Sequence, residues 1–259
     1  MNLRCSSLPL AFACPGSVRP EPGEILLDIV EEGANLGTAV HEVLAAFISE
    51  GGVEVPDVRP YALKHQVEPD DVGRLAYYGA RAWREICENF PAPLTEQEVK
   101  GTWAGVDLSG HIDLVSLGDS SAHLIDWKSG YKESDYYHQV MGYALLLHVA
   151  HPELQNFRAS IIWLREATMT TISVTQQDLG AWLRELTKTV VEWDGVYHAG
   201  EHCQWCPRFA ACPARQALVR SAWDSIEQAP ISVDTTGPNR EAFMPALAHL
   251  VRTGKLALA

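Results

Sequence analysis

Two acidic side chains and a lysine are spaced so that one β-hairpin would bring them together. Gly110-His111-Ile112-Asp113 precedes Asp126-Trp127-Lys128, and Asp126 lies thirteen residues after Asp113. Alternate side chains of a strand share a face, so Asp126 and Lys128 point the same way while Trp127 faces the opposite side. If the turn signal at 118–121 joins two antiparallel strands, Asp113 lies close to Asp126 across the ladder. We therefore expect two carboxylates and an amine to converge.

This grouping suits the hydrolysis of phosphodiesters with a divalent cation. Mg²⁺ or Mn²⁺ prefers oxygen ligands, which Asp113, Asp126 and the Trp127 backbone carbonyl would supply. A bound cation lowers the pKa of its water and neutralises charge on the phosphate. Lys128 would orient or deprotonate that water, or stabilise the pentacovalent state. A D-x-K triplet alone is more typical of a surface strand with scattered charges, so the upstream Gly-x-Ile-Asp segment is what favours a site.

Two helical segments carry further candidates. Gly37-Thr38-x-x-His41 opens the first predicted helix, and Gln139-x-x-x-Tyr143 lies in the helix after Lys128. Gln139 and Tyr143 are four residues apart and therefore share a helix face. Taken alone, His41 is more typical of a core histidine and Tyr143 of ordinary helix packing. Their importance depends on the other motifs.

The four motifs in this order resemble the RecB-like branch of PD-(D/E)XK nucleases. This branch includes the exonuclease domains of RecB and AddB and the CRISPR-adaptation exonucleases. The resemblance spans roughly residues 14–213, which is most of the chain. It implies an α/β fold in which a restriction-endonuclease-like core has a mixed central β-sheet flanked by helices.

The resemblance also implies a role for each matching residue. By this resemblance His41 is a metal-binding histidine, Asp113 and Asp126 are the two metal carboxylates, and Lys128 is the catalytic lysine. Gln139 and Tyr143 are the two helix residues that support the active site and the DNA. Asp126 stands where many relatives have Glu, and the pattern allows either acid. Glu98 is a further acidic residue on the preceding strand and matches no motif.

Three cysteines near the C-terminal part of the chain have the spacing of metal ligands. Cys203-x2-Cys206-x5-Cys212 supplies three thiolates, and Cys14 is the expected fourth ligand of a tetrahedral site. Spacing alone leaves zinc and an iron–sulfur cluster equally open, and reduced thiols without a metal are a further alternative. The resemblance to AddB and the CRISPR-adaptation exonucleases implies a [4Fe–4S] cluster that clamps the two ends of the chain. Cys5 and His202 are weaker alternatives, and Cys87 is more typical of a core residue.

The composition limits the classes of protein that need to be considered. The net charge of -13 argues against a protein that coats DNA through bulk charge, although carboxylates that hold metal add negative charge. No run approaches about 18 apolar residues, so no membrane span is expected. Clustered cysteines in a reducing compartment indicate metal before disulfide, and the expected location is cytoplasmic.

Hydrophobic periodicity predicts helices and strands in an α/β order. We predict helices over 34–50, 71–90, 134–148, 175–199 and near 214–227, and strands over 96–108, 109–117, 122–128, 157–164 and 169–175. Residues 51–70 are expected to form a loop. We expect one nuclease domain over 1–227, including the cysteine staple of Cys14 with Cys203–Cys212, and a linker and tail over 228–259.

The expected substrate is DNA that is single-stranded or has free ends. Aromatic and basic side chains near the motifs are candidate contacts: Trp103, Trp127, Tyr131, Tyr136, Tyr137, Trp205, Lys132, Arg165 and Arg208. By the resemblance to the RecB-like branch, the expected activity is that of an exonuclease in recombination or repair, in a phage or prophage setting, with a recombination or annealing protein as partner. A structure-specific or restriction-type endonuclease and a non-catalytic iron–sulfur DNA-binding module are the alternatives.

Overall fold

The computed structural model describes residues 1–24, 26, 33–103, 105–130, 136–217 and 220. These residues form two compact units. The sheet unit holds the described residues of Met1–Phe12 and Val30–Trp193, and the cysteine unit holds those of Ala13–Ile29 and Asp194–Ala259. The predicted tail over 228–259 lies outside the described residues, as do Ser134, Tyr131, Lys132 and most of the helix expected near 214–227.

In the sheet unit a group of helices precedes a series of strands, and a helix, two strands and a helix follow, in the order that was predicted for an α/β fold. The strands are β1 (Asn2–Arg4), β2 (Leu94–Trp103), β3 (Val106–Leu117), β4 (Ser121–Lys128), β5 (Asn156–Trp163) and β6 (Thr168–Thr175). The helices are α1 (Leu8–Ala13), α2 (Ala34–Ser49), α3 (Arg59–His65), α4 (Pro69–Ile86), α5 (Tyr137–Ala150) and α6 (Gln176–Leu186).

The strands form one mixed, six-stranded sheet. β3 pairs antiparallel with β2 and β4, and β5 pairs antiparallel with β6. β1 runs parallel to β3, and β4 runs parallel to β5. The mixed sheet and the hairpin between β3 and β4 were both predicted. Parallel β4 and β5 are joined through α5, which is the crossover that parallel neighbours require.

One edge of β3 is interrupted in the middle. Residues of β3 that pair with β1 or with β4 also pair with β2. β1 and β4 therefore both lie along the edge of β3 that is opposite β2. On that edge β1 pairs with Asp107–Ser109 and β4 pairs with Leu114–Leu117. In the described part of the chain, no strand pairs there with the four residues between, which are Gly110-His111-Ile112-Asp113.

The core on one face of the sheet is built by α2, α3 and α4. Its buried members recur at helical spacing and meet side chains of the central strands: Val40, Leu44, Phe47, Leu75, Trp83, Leu114, Ile125, Trp127 and Ile162. Each large apolar side chain buried in this way contributes about 1.5–3 kcal/mol. Alternation along β4 turns Asp126 to the other face, where it meets α5, so helices cover both faces of the sheet.

Several boundaries differ from the predicted ones for local reasons. Residues 51–70 contain α3, which begins beside Pro60 and ends where Gln66 takes a left-handed conformation with φ 57°. The helix predicted over 175–199 begins at the capping box of Thr175 and Asp178 as expected, but α6 ends at Leu186. A π-turn follows over Thr187–Val191, where β-branched residues lower helix propensity. β1 and α1 were not predicted. No described helix combines the length and apolar character needed to cross a membrane.

Candidate active site

Asp113 and Asp126 meet where β3 and β4 stop pairing. The last paired residues of the ladder are Leu114 and Ile125, and one further step would place Asp113 opposite Asp126. In place of that pairing, Asp113 Oδ2 accepts a hydrogen bond from the Trp127 N–H at 2.7 Å. Both carboxylates are buried, with 7% of Asp113 and 4% of Asp126 exposed. The strands therefore separate at the point where the two acids come together.

Lys128 joins the same cluster. Its Nζ lies 2.6 Å from Asp126 Oδ2, so the ammonium and this carboxylate oxygen form a buried ion pair. The Tyr136 ring lies below the ammonium, 4.3 Å from Nζ to the ring centroid, and packs edge-on against Trp163. The ring restricts the positions that the lysine side chain can adopt, and its π face favours the charged ammonium. Asp126 and Lys128 share a face because they are two residues apart in β4.

Helix α5 supports the cluster with a short chain of hydrogen bonds. Gln139 Nε2 donates to Asp126 Oδ1 at 3.1 Å and to Tyr143 Oη at 2.8 Å. Tyr143 Oη in turn donates to the His111 carbonyl at 2.8 Å. Both side chains are buried, so each polar contact also satisfies a group that water does not reach. The spacing of four residues in the helix is what lets one amide serve both partners.

His41 reaches the cluster from α2. Its Nδ1 lies 3.1 Å from Asp113 Oδ1, and 26% of its side chain is exposed. The structure therefore brings together Asp113, Asp126, Lys128, His41, Gln139 and Tyr143, the residues that the four motifs contain. The Trp127 main chain also lies in the site through its N–H, while its carbonyl stays a predicted ligand.

Burial and neighbouring charges move the pKa values of the cluster. Burial disfavours charge on His41, yet the Asp113 carboxylate outweighs burial and raises the pKa of the imidazole. Burial also opposes ionisation of Asp113, but the positive charge of His41 holds the pKa of that carboxyl below its ordinary value. Burial raises the pKa of Asp126, and the negative charge of Asp113 adds to the rise although Lys128 opposes it. Two carboxyls at close range are expected to diverge in this way.

Glu96 is a residue of this region that sequence reasoning missed. The ladder between β2 and β3 pairs Thr95 with Leu114 and Gln97 with Ile112, which places Glu96 opposite Asp113. Glu96 has φ 53°, and its Oε2 lies 2.5 Å from His111 Nε2. Burial and then the charge of Asp113 raise the pKa of Glu96.

The signal that would have found Glu96 is the position of the turn. The predicted strands met at 108/109, whereas β2 and β3 are joined around Gly105, which has φ 77°. With the turn at Gly105, counting along both strands places Glu96 opposite Asp113. Glu98, the acid noted from the sequence, is exposed and lies 3.0 Å from Lys100.

A comparison with known families identifies the fold that carries this site. The sequence model of the PD-(D/E)XK nuclease superfamily matches residues 20–213, which includes every motif residue named above in the sheet unit. The chain belongs to this superfamily. The α/β fold with a mixed sheet between helices agrees with a PD-(D/E)XK core.

No curated protein matches the chain. Among solved structures, the chain is similar to SSO0001 with a TM-score of 0.41 and 12% identity, over 82% of this chain and 86% of the other. It is also similar to a protein from Eubacterium rectale named "Putative exonuclease", with a TM-score of 0.48 and 12% identity, over 79% and 86% of the two chains.

Close approach requires glycine at one position of the PD-(D/E)XK chain. A Cβ on Gly110 would lie 2.7 Å from Tyr143 Cε1 and 3.0 Å from Cys5 Sγ, so only glycine lets the tyrosine ring lie against β3. A Cβ on Gly37 would lie 2.8 Å from Ser129 Oγ, just beyond Lys128, and rotation of the serine side chain would relieve that contact. Gly110 therefore brings α5 close to the strand that carries Asp113.

A divalent cation fits the donor set of this nuclease site. Asp126 Oδ2 is buried without a hydrogen bond, beside a second carboxylate, and such oxygens are what Mg²⁺ and Mn²⁺ bind. Among the described residues, no three His, Cys, Asp or Glu side chains already have the arrangement of a bound ion. Asp113 is instead paired with His41, and Asp126 with Lys128.

Some of the expected DNA contacts have other partners. Trp127 is 2% exposed and belongs to the core. Arg208 was an expected phosphate contact, but it is 2% exposed and ion-paired with Glu24 at 2.8 Å, so this prediction is wrong. Trp103 and Trp205 are exposed.

The cysteine unit gathers the four cysteines that the sequence singled out. Cys14, Cys203, Cys206 and Cys212 line one cavity of about 20 Å³, together with His202 and Arg215 among others. Cys14 Sγ accepts a hydrogen bond from the His198 N–H at 3.4 Å, and Cys203 Sγ accepts one from the Gly200 N–H at 3.3 Å. Burial raises the pKa of Cys206, and the three other thiols add to the rise.

Arg208 ties the two chain segments of the cysteine unit together without any metal. Its guanidinium donates to both oxygens of Glu24, to the Gly16 carbonyl and to Tyr197 Oη. Cys5 lies in the sheet unit and is 1% exposed, and Cys87 packs against the core there. The structure thus separates the four cavity cysteines from the two others.

Proposed function

We propose that this protein is a metal-dependent DNA nuclease that uses Mg²⁺ or Mn²⁺, and that it acts as an exonuclease on single strands or free ends. The observation that carries the proposal is the convergence of Asp113, Asp126 and Lys128 at the separated ends of β3 and β4. Asp126 is paired with Lys128 and Asp113 with His41, so each acid has a basic neighbour in the metal-free protein. Two buried carboxylates in the same place are also the oxygen ligands that a divalent cation prefers.

Each side chain has a position that suits a role in the reaction. Asp113, Asp126, His41 and the Trp127 carbonyl would hold the cation. When bound, the cation supplies a water of lowered pKa and neutralises charge on the phosphate. Lys128 is held by Asp126 and the Tyr136 ring, where its ammonium would orient the attacking water and stabilise negative charge. Gln139 and Tyr143 fix the Asp126 carboxylate, since the amide occupies Oδ1 and leaves Oδ2 facing the cluster.

Nuclease assays on matched variants test the proposal. Asp126→Asn and Lys128→Ala are compared with Asp119→Asn and Lys100→Ala, since Asp119 is exposed on the turn of the same hairpin and Lys100 is exposed on β2. Mn²⁺-dependent cleavage of linear DNA is expected only from the wild type and the two control variants. Cleavage that persists in both Asp126→Asn and Lys128→Ala would contradict the assignment and favour a non-catalytic DNA-binding module.

The mode of cleavage is tested with the topology of the substrate. A circular single strand and a linear strand of the same sequence, labelled at either end, are incubated with the protein and Mn²⁺. An exonuclease degrades only the linear strand, and the label that is released first gives the polarity. Cleavage of the circle favours the alternative of a structure-specific or restriction-type endonuclease. The resemblance to RecB-like exonucleases in recombination or repair supports the first outcome.

We further propose that Cys14, Cys203, Cys206 and Cys212 hold a structural metal centre. Four thiols around one cavity, two of them accepting backbone N–H bonds, suit zinc and iron–sulfur centres alike. The resemblance to AddB and the CRISPR-adaptation exonucleases favours [4Fe–4S]. Among the described residues no three cysteines already have the arrangement of a bound ion, so either centre would need the thiols to move.

Spectroscopy and metal analysis of the anaerobically purified protein decide between these centres. A [4Fe–4S] cluster gives visible absorbance with about four irons and four sulfides per chain. One zinc without iron leaves the four-cysteine centre in place and removes the cluster. Absence of both metals removes the centre itself. None of these results affects the nuclease assay on Asp126 and Lys128.

A further inference from the structure

Three acids lie in one row across neighbouring strands of the sheet. Glu96 on β2 is opposite Asp113 on β3. Asp113 and Asp126 lie one step beyond the last pair of the β3–β4 ladder, in positions opposite each other. Adjacent strands are about 4.8 Å apart, so carboxylates at these positions are close neighbours. The family motifs contain Asp113 and Asp126 but not Glu96, which makes Glu96 an acid that the motifs do not explain.

One oxygen of Glu96 has a partner and the other has none. Oε2 lies beside His111 Nε2, which orients the carboxylate. Oε1 is buried and has no hydrogen-bond partner. Buried polar atoms are nearly always paired, because water can no longer compensate them. Asp126 Oδ2 is the other carboxylate oxygen of the described residues that is buried without a hydrogen bond, and it lies at the opposite end of the same row.

The backbone at Glu96 is strained in the middle of a strand. Its φ of 53° is left-handed, and the flanking pairs of the ladder are formed while the pair between Glu96 and Asp113 is missing. A non-glycine residue in this conformation costs on the order of 1–3 kcal/mol and persists where its surroundings impose it. The strain therefore lies next to the acids and not at a turn.

We propose that Glu96 is a direct ligand in the divalent-cation site, on the β2 side of Asp113, an inference that rests on the proposed function. Its unpaired Oε1 is the ligand atom, and His111 holds the other oxygen. A hydrogen bond to the second oxygen of a ligating carboxylate is a common way to fix its direction. Glu96 then extends the donor set from the hairpin of β3 and β4 to a third strand.

The affinity of the full chain for Mn²⁺, measured by calorimetry without DNA, tests whether Glu96 is a ligand. Glu96→Gln removes the charge and keeps the size, whereas Glu96→Asp keeps the charge and draws the carboxylate back by one methylene. Glu98→Gln is the control, because Glu98 is exposed on the same strand and pairs with Lys100. We expect both Glu96 variants to bind at least one Mn²⁺ about tenfold more weakly than the wild type, and the control to bind within about twofold.

Each outcome separates ligation from other effects. Weakening in Glu96→Gln alone, with wild-type affinity in Glu96→Asp, means that Glu96 acts only through its charge and overturns the proposal. Affinity within about twofold of wild type in both variants also overturns it. Far-ultraviolet circular dichroism checks that the variants fold.

The ligand role and the nuclease function can fail separately. If Mn²⁺ binding depends on Glu96 and no DNA is cleaved, the nuclease function fails while Glu96 stands as a ligand. If DNA is cleaved and Mn²⁺ binding is independent of Glu96, the ligand role fails while the nuclease function stands.

Discussion

The two candidate metal centres are built in contrasting ways. In the sheet unit, every acid of the site is held by regular structure: Asp113 by the Trp127 N–H, and Asp126 by Gln139 of α5. In the cysteine unit, Cys14 precedes the short turn Pro15–Val18, Cys203 lies in the turn Glu201–Trp205 and Cys206 follows it, with single N–H contacts to two of the sulfurs. The first centre is therefore positioned by strands and a helix, and the second by short turns.

The contrast teaches what each centre contributes to the protein. Loss of a group in the sheet unit should reduce activity far more than stability, because the surrounding core remains. Loss of a thiol in the cysteine unit should reduce stability, because ligation energy acts there as folding energy. The following changes either break this contrast or measure it, in order of decreasing effect.

Lys128→Ala should cause the largest change, and it should be a change in rate. We expect turnover on linear DNA to fall by about a thousandfold, since a positioned catalytic group contributes about 10²–10⁴. The thermal unfolding midpoint should fall to a lesser degree, because the apolar core does not include the lysine but the buried Asp126 loses its ion-pair partner. A rate close to that of Lys100→Ala would contradict the role of Lys128.

Cys206→Ser should abolish the metal content of the cysteine unit and lower its unfolding temperature. A serine hydroxyl is a poor ligand for zinc and iron, and Cys206 is the most buried of the three clustered cysteines near residue 206. Cys87→Ser is the control, because Cys87 lies in the sheet unit. Metal analysis and calorimetric unfolding measure the effect. Full metal content in Cys206→Ser would remove this residue from the centre.

Gly110→Ala should destabilise the sheet unit by about 1–3 kcal/mol, because the new methyl group would overlap the Tyr143 ring and Cys5. Gly73→Ala is the matched control, since its methyl group would meet only Val58 at 3.8 Å and helix α4 gains propensity. Urea unfolding of both variants gives the difference. Equal stability of Gly110→Ala and the wild type would show that Tyr143 can move aside.

The pH dependence of the cysteine unit should depend on Glu24. The Arg208 guanidinium holds the pKa of Glu24 below its usual value of 4.5, so the folded state binds its proton less readily than the unfolded state. The ion pair thus contributes stability above pH 4.5, and this contribution is lost as the pH falls through the lowered pKa. Glu24→Gln should flatten that part of the curve of unfolding free energy against pH. An unchanged curve would mean that the pair contributes nothing.

Glu96→Gly should have the smallest effect on the free energy of unfolding of the metal-free protein. Glycine accepts φ 53° freely, so relief of strain should offset the lost contact with His111. Gln97→Gly, one residue on in regular strand conformation, should cost about 1 kcal/mol. If Glu96→Gly is the more destabilising of the two in urea unfolding, the side chain contributes more than the strain costs.

Much of the site was accessible from the sequence because its parts are local. The spacing of Asp113, Asp126 and Lys128 around one turn predicts their meeting, and the spacing of Gln139 and Tyr143 predicts a shared helix face. The hairpin and the mixed sheet followed from alternation and turn residues. His41 could be placed only by resemblance, since nothing in its own segment indicates that α2 reaches Asp113.

What escaped prediction depends on contacts between distant parts of the chain. Glu96 needed the register of β2 on β3, which moved when the turn was found at Gly105. β1 is short and pairs with residues about a hundred positions away, so no local pattern predicts it. Arg208 was assigned to a surface because most arginines are exposed, whereas its partner Glu24 lies far away in sequence.

The packing of Tyr143 against Gly110 makes the residue choice in one motif depend on the residue choice in the other. A larger residue at position 110 would displace the ring, and a smaller residue at position 143 would leave the His111 carbonyl without its hydroxyl partner. Either change alone is therefore expected to cost stability, and each position limits which residues the other can accept.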